Sequence, residues 1–170
     1  RPKILDLVAS RLKEGKTVDT DKWIGETSVA NWFWQEYIET GPHAVSRAKA
    51  ALTFAEHQAD EIAIGVRVTK DISSEIDNLR ADNIVIYDDD KIRFQHDLYG
   101  DWTRFQILLR HEYGLAAFIS PKLISPFWNR ALRLYALYLL EGSIGTEKWE
   151  SALEQLGDET GSGNLSQDLV

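Results

Sequence analysis

Between Gly65 and Asp97 the chain changes its hydrophobic period, and that change constrains the fold more than any other feature. Up to Ile62 the apolar residues recur every three or four positions, as one face of a helix requires. After Gly65 the pattern shortens. Val66-Arg67-Val68 reads as a short strand, and Ile72, Ile76 and Leu79 mark a brief helix starting at Asp71 or Ser73. Ile84 and Ile86 then alternate with Val85 and Tyr87, Asp88-Asp89-Asp90-Lys91 makes a polar turn, and Ile92 and Phe94 resume the alternation, which predicts a hairpin. The run Ile92-Arg93-Phe94-Gln95-His96-Asp97-Leu98 ends the second strand in a His-Asp pair, and a helical period resumes at once. An imidazole therefore stands at a strand-to-helix corner, next to Asp97, a residue type favoured as helix N-cap.

The flanking segments read as helices. The first runs from Pro2 to Glu14, with Ile4, Leu5, Val8 and Leu12 at helical spacing; proline suits the first turn and Gly15 a stop. The second runs from about Thr27 to Thr40, with Thr27 or Ser28 as cap, Gly41-Pro42 as terminator and Trp32-Phe33-Trp34 as core rings. The third, Val45 to Ile62, carries a stripe of Ala48, Ala51, Leu52, Ala55, Ala59 and Ile62, small enough for a neighbouring helix to come close. His57 lies off that stripe and reads as solvated. Beyond the corner, Asp97 to Tyr113 presents Leu98, Trp102, Phe105 and Leu109 on one face. Another helix opens at Ser125-Pro126, with Ser125 as cap, and reaches Glu141, apolar nearly all round. A last one spans about Thr146 to Leu156, and the Gly/Ser-rich tail predicts disorder. The expected fold is mainly α: a helical segment at 1–42, a winged-helix-like domain with a β-hairpin wing at 43–113, a helical extension at 114–156 and a tail at 157–170.

Bulk properties exclude several classes. With no cysteine there is no disulfide, thiolate metal site or cysteine nucleophile. A net charge of −8 disfavours binding to a phosphate backbone. Asn129, Arg130 and Arg133 interrupt the stretch that comes nearest to a membrane span, Ile124 to Leu140, and no leader pattern is visible; a cytoplasmic setting follows as the default expectation. The missing methionine, and a helix already under way at Arg1-Pro2, suggest a segment of something longer.

The sequence offers little ordinary catalytic machinery. Ile84-Val85-Ile86-Tyr87-Asp88-Asp89 has the outline of the acidic strand end that holds magnesium in P-loop ATPases, but no G-x-x-x-x-G-K-S/T loop precedes it, and it reads as a hairpin turn. His43, His57, His96 and His111 lack an i, i+4 partner for a metal pair, and no G-x-S-x-G elbow is present. His96 stands out because a ring at such a corner can donate a hydrogen bond to a phosphate oxygen.

At these residues the chain resembles the regulatory half of STAND-class ATPases, which include NOD-like and plant resistance receptors. In that class a helical lid and a winged helix follow the P-loop domain, and the winged helix ends in a Met-His-Asp motif whose histidine contacts the β-phosphate of ADP. Gln95-His96-Asp97 stands in that place, with Gln95 where the family has Met. The family's lid opens on Gly-x-Pro and an apolar helix, and Pro2-Lys3-Ile4-Leu5-Asp6-Leu7-Val8 is similar from the proline onward. About 95 residues separate Pro2 from His96, which suits a lid followed by a winged helix. The resemblance covers residues 1–112. It implies Pro2 near the adenine, His96 on the β-phosphate, Asp97 supporting the corner, and ADP or ATP with magnesium bound mainly by a separate nucleotide-binding domain of the same parent chain. It further implies no catalysis by this segment alone, sensor repeats beyond it, homo-oligomerisation on activation, and a role in signal transduction or antiviral defence. Two other classes compete. One is a winged-helix transcription regulator reading DNA with Ser73, Ser74, Asn78 and Arg80, which the acids Asp71, Glu75, Asp77 and Asp82 oppose. The other is a ligand-free helical scaffold.

Overall fold

The computed structural model describes residues 2–67, 70, 72–141, 147, 150, 151, 153 and 154. Among them the chain is mainly α, with seven α-helices and one two-stranded hairpin in a winged-helix-like arrangement. The helices are α1 (Pro2–Lys13), α2 (Glu26–Phe33), α3 (Ala44–Asp60), α4 (Ser73–Ala81), α5 (Asp97–Arg110), α6 (Leu115–Ile119) and α7 (Phe127–Glu141); the strands are β1 (Val85–Asp88) and β2 (Lys91–Phe94).

Local chemistry accounts for most boundaries. Gly15 takes φ +76, and the next residue's N–H returns to the Arg11 carbonyl, closing α1 as a glycine C-terminus does. The second helical segment passes from α2 into a π-helical turn, Trp34–Ile38, before Gly41 at φ +78 ends it. In the hairpin Val85 faces Phe94 and Asp88 faces Lys91, with Asp89 at φ 57 in the turn. Val66 bridges to Ile92 on the free side of β2, so the upstream strand expectation reduces to one bridge; Val68 lies outside the described residues.

Three cap assignments are corrected. Gly25, not Thr27 or Ser28, is the N-cap of α2; Ser28 Oγ accepts from the Gly25 N–H at 3.1 Å, and the Thr27 hydroxyl donates instead to the Glu141 carboxylate of α7. Ser125 does not cap α7: its hydroxyl donates to the Ala59 carbonyl at 2.7 Å and ties the start of α7 to the end of α3. His96, rather than Asp97, is the N-cap of α5.

One hydrophobic cluster runs from Leu7 to Leu139, so the boundaries expected at 42/43 and 113/114 fall inside a continuous core. Its axis is α5, which packs against α2, α3, α7 and β2. Every residue of α5 from Leu98 to Leu108 is buried, where the sequence predicts a single apolar face. In α7, whose sequence is apolar nearly all round, Trp128, Ala131, Leu132, Leu134, Tyr135, Ala136 and Leu139 are buried, while Leu137, Tyr138 and Leu140 are exposed. In α1 the buried positions are Leu7 and Arg11, while Leu5 and Leu12 face solvent. Arg11 reaches the interior because its guanidinium lies over the Tyr37 ring, 4.0 Å from the centroid, and pairs with Glu14 at 2.8 Å. The predicted core rings behave as expected: Phe33 and Trp34 are buried, and Trp32 leans on Trp23. Residues 147, 150, 151, 153 and 154 are helical; the rest of the segment 146–156 and the tail 157–170 lie outside the described residues.

Candidate functional site

The corner residue His96 has extended backbone (φ −143, ψ 140), as an N-cap requires. Its Nδ1 accepts a hydrogen bond from the Leu98 N–H at 3.2 Å. An imidazole nitrogen that accepts carries no proton, so the neutral ring bears its proton on Nε2. Among the described residues Nε2 has no hydrogen-bond partner, and the side chain is half-buried. The ring is held at one nitrogen and offers a donor at the other.

One turn further, Tyr99 lies on the same side of α5, its ring 6.0 Å from that of His96, stacked on Phe33 at 4.8 Å and tilted against Trp102 at 6.2 Å. Burial pushes the Tyr99 phenol up to about 12, with Tyr37 and Asp6 adding to the rise. Asp6 belongs to α1, and Tyr37 donates its hydroxyl to the Leu7 carbonyl of α1 at 2.7 Å. The early turns of α1 and the first turn of α5 therefore share one side of the molecule. Pro2 opens α1, as expected; its side chain is not among those described.

Asp97 goes elsewhere. It is exposed, sits in the first turn of α5 where the helix dipole favours a carboxylate, and lines a separate cleft of about 310 Å³ with Arg93, Asp101, Arg104, Phe127 and Arg130. The two halves of the His-Asp pair thus serve different surfaces. The cleft's floor is a buried network that the sequence reading did not single out. Arg104, 2% exposed, donates to Gln58 at 2.9 Å and to Asp101 at 3.0 Å, and Arg130 approaches Asp101 at 3.5 Å. Burial pushes the Asp101 carboxyl above its usual range despite both arginines, and lowers Arg104 despite Asp101. Desolvation outweighs pairing on both sides, as is common for buried ion pairs. A signal was present in the sequence: Gly100 inside a helix marks close approach, and Asp101 and Arg104 stand at i, i+3. A Cβ on Gly100 would meet Arg104 Nη2 and the Phe94 ring, each at 2.9 Å.

The surface that a DNA reader would use is largely self-engaged. Arg80 stacks over Tyr87 at 5.0 Å, and Tyr87 donates its hydroxyl to Asp77 at 3.3 Å. Among the described residues there is no cluster of three or more metal-ligating side chains, and no helix is long and apolar enough to cross a membrane. No family model, curated protein or solved structure matches the chain.

Proposed function

We propose that this chain is the lid and winged-helix part of a STAND-type nucleotide switch, closing over ADP in the resting state. His96 carries the reading: a corner imidazole, fixed through Nδ1, whose Nε2–H is left for an outside acceptor. In this reading His96 donates to the β-phosphate, Pro2 lies near the base, and Asp97 supports the corner through the helix dipole. A P-loop domain of the same parent chain supplies most of the nucleotide and magnesium contacts. Exchange of ADP for ATP breaks the His96 bond and frees the winged helix, exposing a surface for homo-oligomerisation; sensor repeats follow, and the setting is cytoplasmic. The order α3, Val66 bridge, α4, hairpin, His96 corner supports it. A single hydrogen bond to a charged group contributes roughly 1.5–3 kcal/mol, enough to bias a two-state element about tenfold or more.

The test uses the full-length parent with two substitutions. His96→Asn keeps an N-cap acceptor but removes the ring donor, and His96→Ala removes both. Both are expected to shorten ADP retention about tenfold and to favour the assembled state. Unchanged ADP retention in both variants rejects the reading.

A further inference from the structure

α1 uses only part of its circumference to hold the fold. Leu7 and Arg11 face inward, and the Tyr37 hydroxyl donates to the Leu7 carbonyl at 2.7 Å. A second face is apolar and open. With 3.6 residues per turn, Leu5, Ala9 and Leu12 fall within about 60° of one another. All three are exposed, Leu5 at 68% and Leu12 at 57%. One flank of this face carries charge: Asp6 and Lys13, seven positions apart, stand on the same side and are both exposed. Asp6 meets Lys3 at 3.8 Å, too far for a hydrogen bond.

The pattern is complementary to itself. Set antiparallel about a two-fold axis at Ala9, two copies of α1 bring Leu5 of each to Leu12 of the other, and Asp6 of each to Lys13 of the other. Such an axis puts the same flank of both helices on one side of the contact, so the ion pair forms twice. The small side chain at the crossing lets the backbones come close. A parallel pair would instead oppose Asp6 to Asp6 and Lys13 to Lys13, and like charges repel.

We infer that the exposed face of α1 is a self-association surface, pairing antiparallel with α1 of a second copy of this chain. The inference is independent of the nucleotide reading, since it uses neither His96 nor a phosphate. At twelve residues α1 is about 18 Å long. The contact is therefore smaller than the roughly 800 Å² per partner of a stable interface, and the pair is weak and reversible, with a dissociation constant on the order of 0.1 mM.

Sedimentation equilibrium of the chain at rising concentration tests this, with circular dichroism to confirm that each variant folds. The native chain is expected to fit a monomer–dimer equilibrium. Leu12→Ser, an exposed substitution, is expected to weaken it at least about tenfold, because the two-fold axis counts each loss twice. Asp6→Lys is expected to weaken it about threefold to tenfold, and the double variant Asp6→Lys with Lys13→Asp to restore it. Because the chain has no cysteine, Ala9→Cys reports the axis directly. It is expected to oxidise to a covalent dimer, while Tyr113→Cys, fully exposed on another element, stays monomeric. A monomer at every concentration overturns the inference and leaves this face to a partner of different sequence. A dimer unchanged by Leu12→Ser, or a charge exchange that restores nothing, also overturns it, because the copies then meet through another face or in another register.

Discussion

His96 performs two jobs with two nitrogens, and substitution can separate them. The cap at Nδ1 belongs to stability: it satisfies one of the backbone N–H groups left over at the start of α5. His96→Ala is expected to cost about 1 kcal/mol in urea denaturation, the usual loss for a missing N-cap acceptor, whereas His96→Asn retains stability because asparagine is a preferred cap. Equal losses in the two variants would show that the ring, not the acceptor, matters. Asp101 permits a second test at this scale. Its carboxyl titrates above the ordinary range because it is buried, so the folded chain holds that proton more tightly than the unfolded one. The sign follows from linkage. The stabilising contribution is present below the unfolded value and is lost as pH rises through the raised native value. The stability of the native chain relative to Asp101→Asn is therefore expected to fall as pH increases across that window, read as the difference between two melting-temperature profiles. A rising difference would mean that Arg104 and Arg130 dominate over burial.

Among the elements, α5 is buried well beyond the single apolar face that its sequence predicts. Asp97–Arg110 carries Asp101, Thr103, Arg104 and Gln106, and its polar residues suggest a solvated face. In the fold those residues are buried and matched internally: Thr103 to the Tyr99 carbonyl at 2.6 Å, Gln106 to Asn31 at 2.7 Å, and Arg104 to Gln58 and Asp101. α7 is more apolar and buries one face against α5 and α2, while Tyr138 keeps an edge-on contact with Phe105 and remains exposed. Hydrophobic period reports how many apolar residues a helix has and how they are spaced; how many neighbours surround it depends on the other helices. Gly100 is the point at which α5 admits β2 and the Arg104 head together. Alanine favours an exposed helix by about 1 kcal/mol over glycine. Here Gly100→Ala is nonetheless expected to destabilise by roughly 1–3 kcal/mol, the usual cost of overpacking, measured by chemical denaturation. A stabilised variant would show that Phe94 and Arg104 yield easily.

At the scale of the whole molecule, the shared core makes the expected segments interdependent. α5 packs against α7, where the Phe105 ring meets that of Tyr138, and Phe33 of α2 packs on Tyr99 and Trp102. Unfolding is therefore expected to be a single transition, with far-ultraviolet circular dichroism and tryptophan fluorescence coinciding in urea. A chain cut after Tyr113 is expected to lose cooperative unfolding, because it strips α7 from the central helix. Two separated transitions, or a cooperative 1–113 fragment, would establish independent units. Features governed by neighbouring residues were legible in the sequence: the glycine stops at Gly15 and Gly41, the hairpin turn, the short helix around Ile76 and the position of His96 at a corner. Turn chemistry and period act over a few residues and carry their own signal. The partners of Ser125, Thr27 and Arg104 and the divergence of Asp97 from His96 were decided only when distant segments met. A polar side chain takes the best acceptor within reach, and burial depends on everything packed around it; neither is a property of the local sequence.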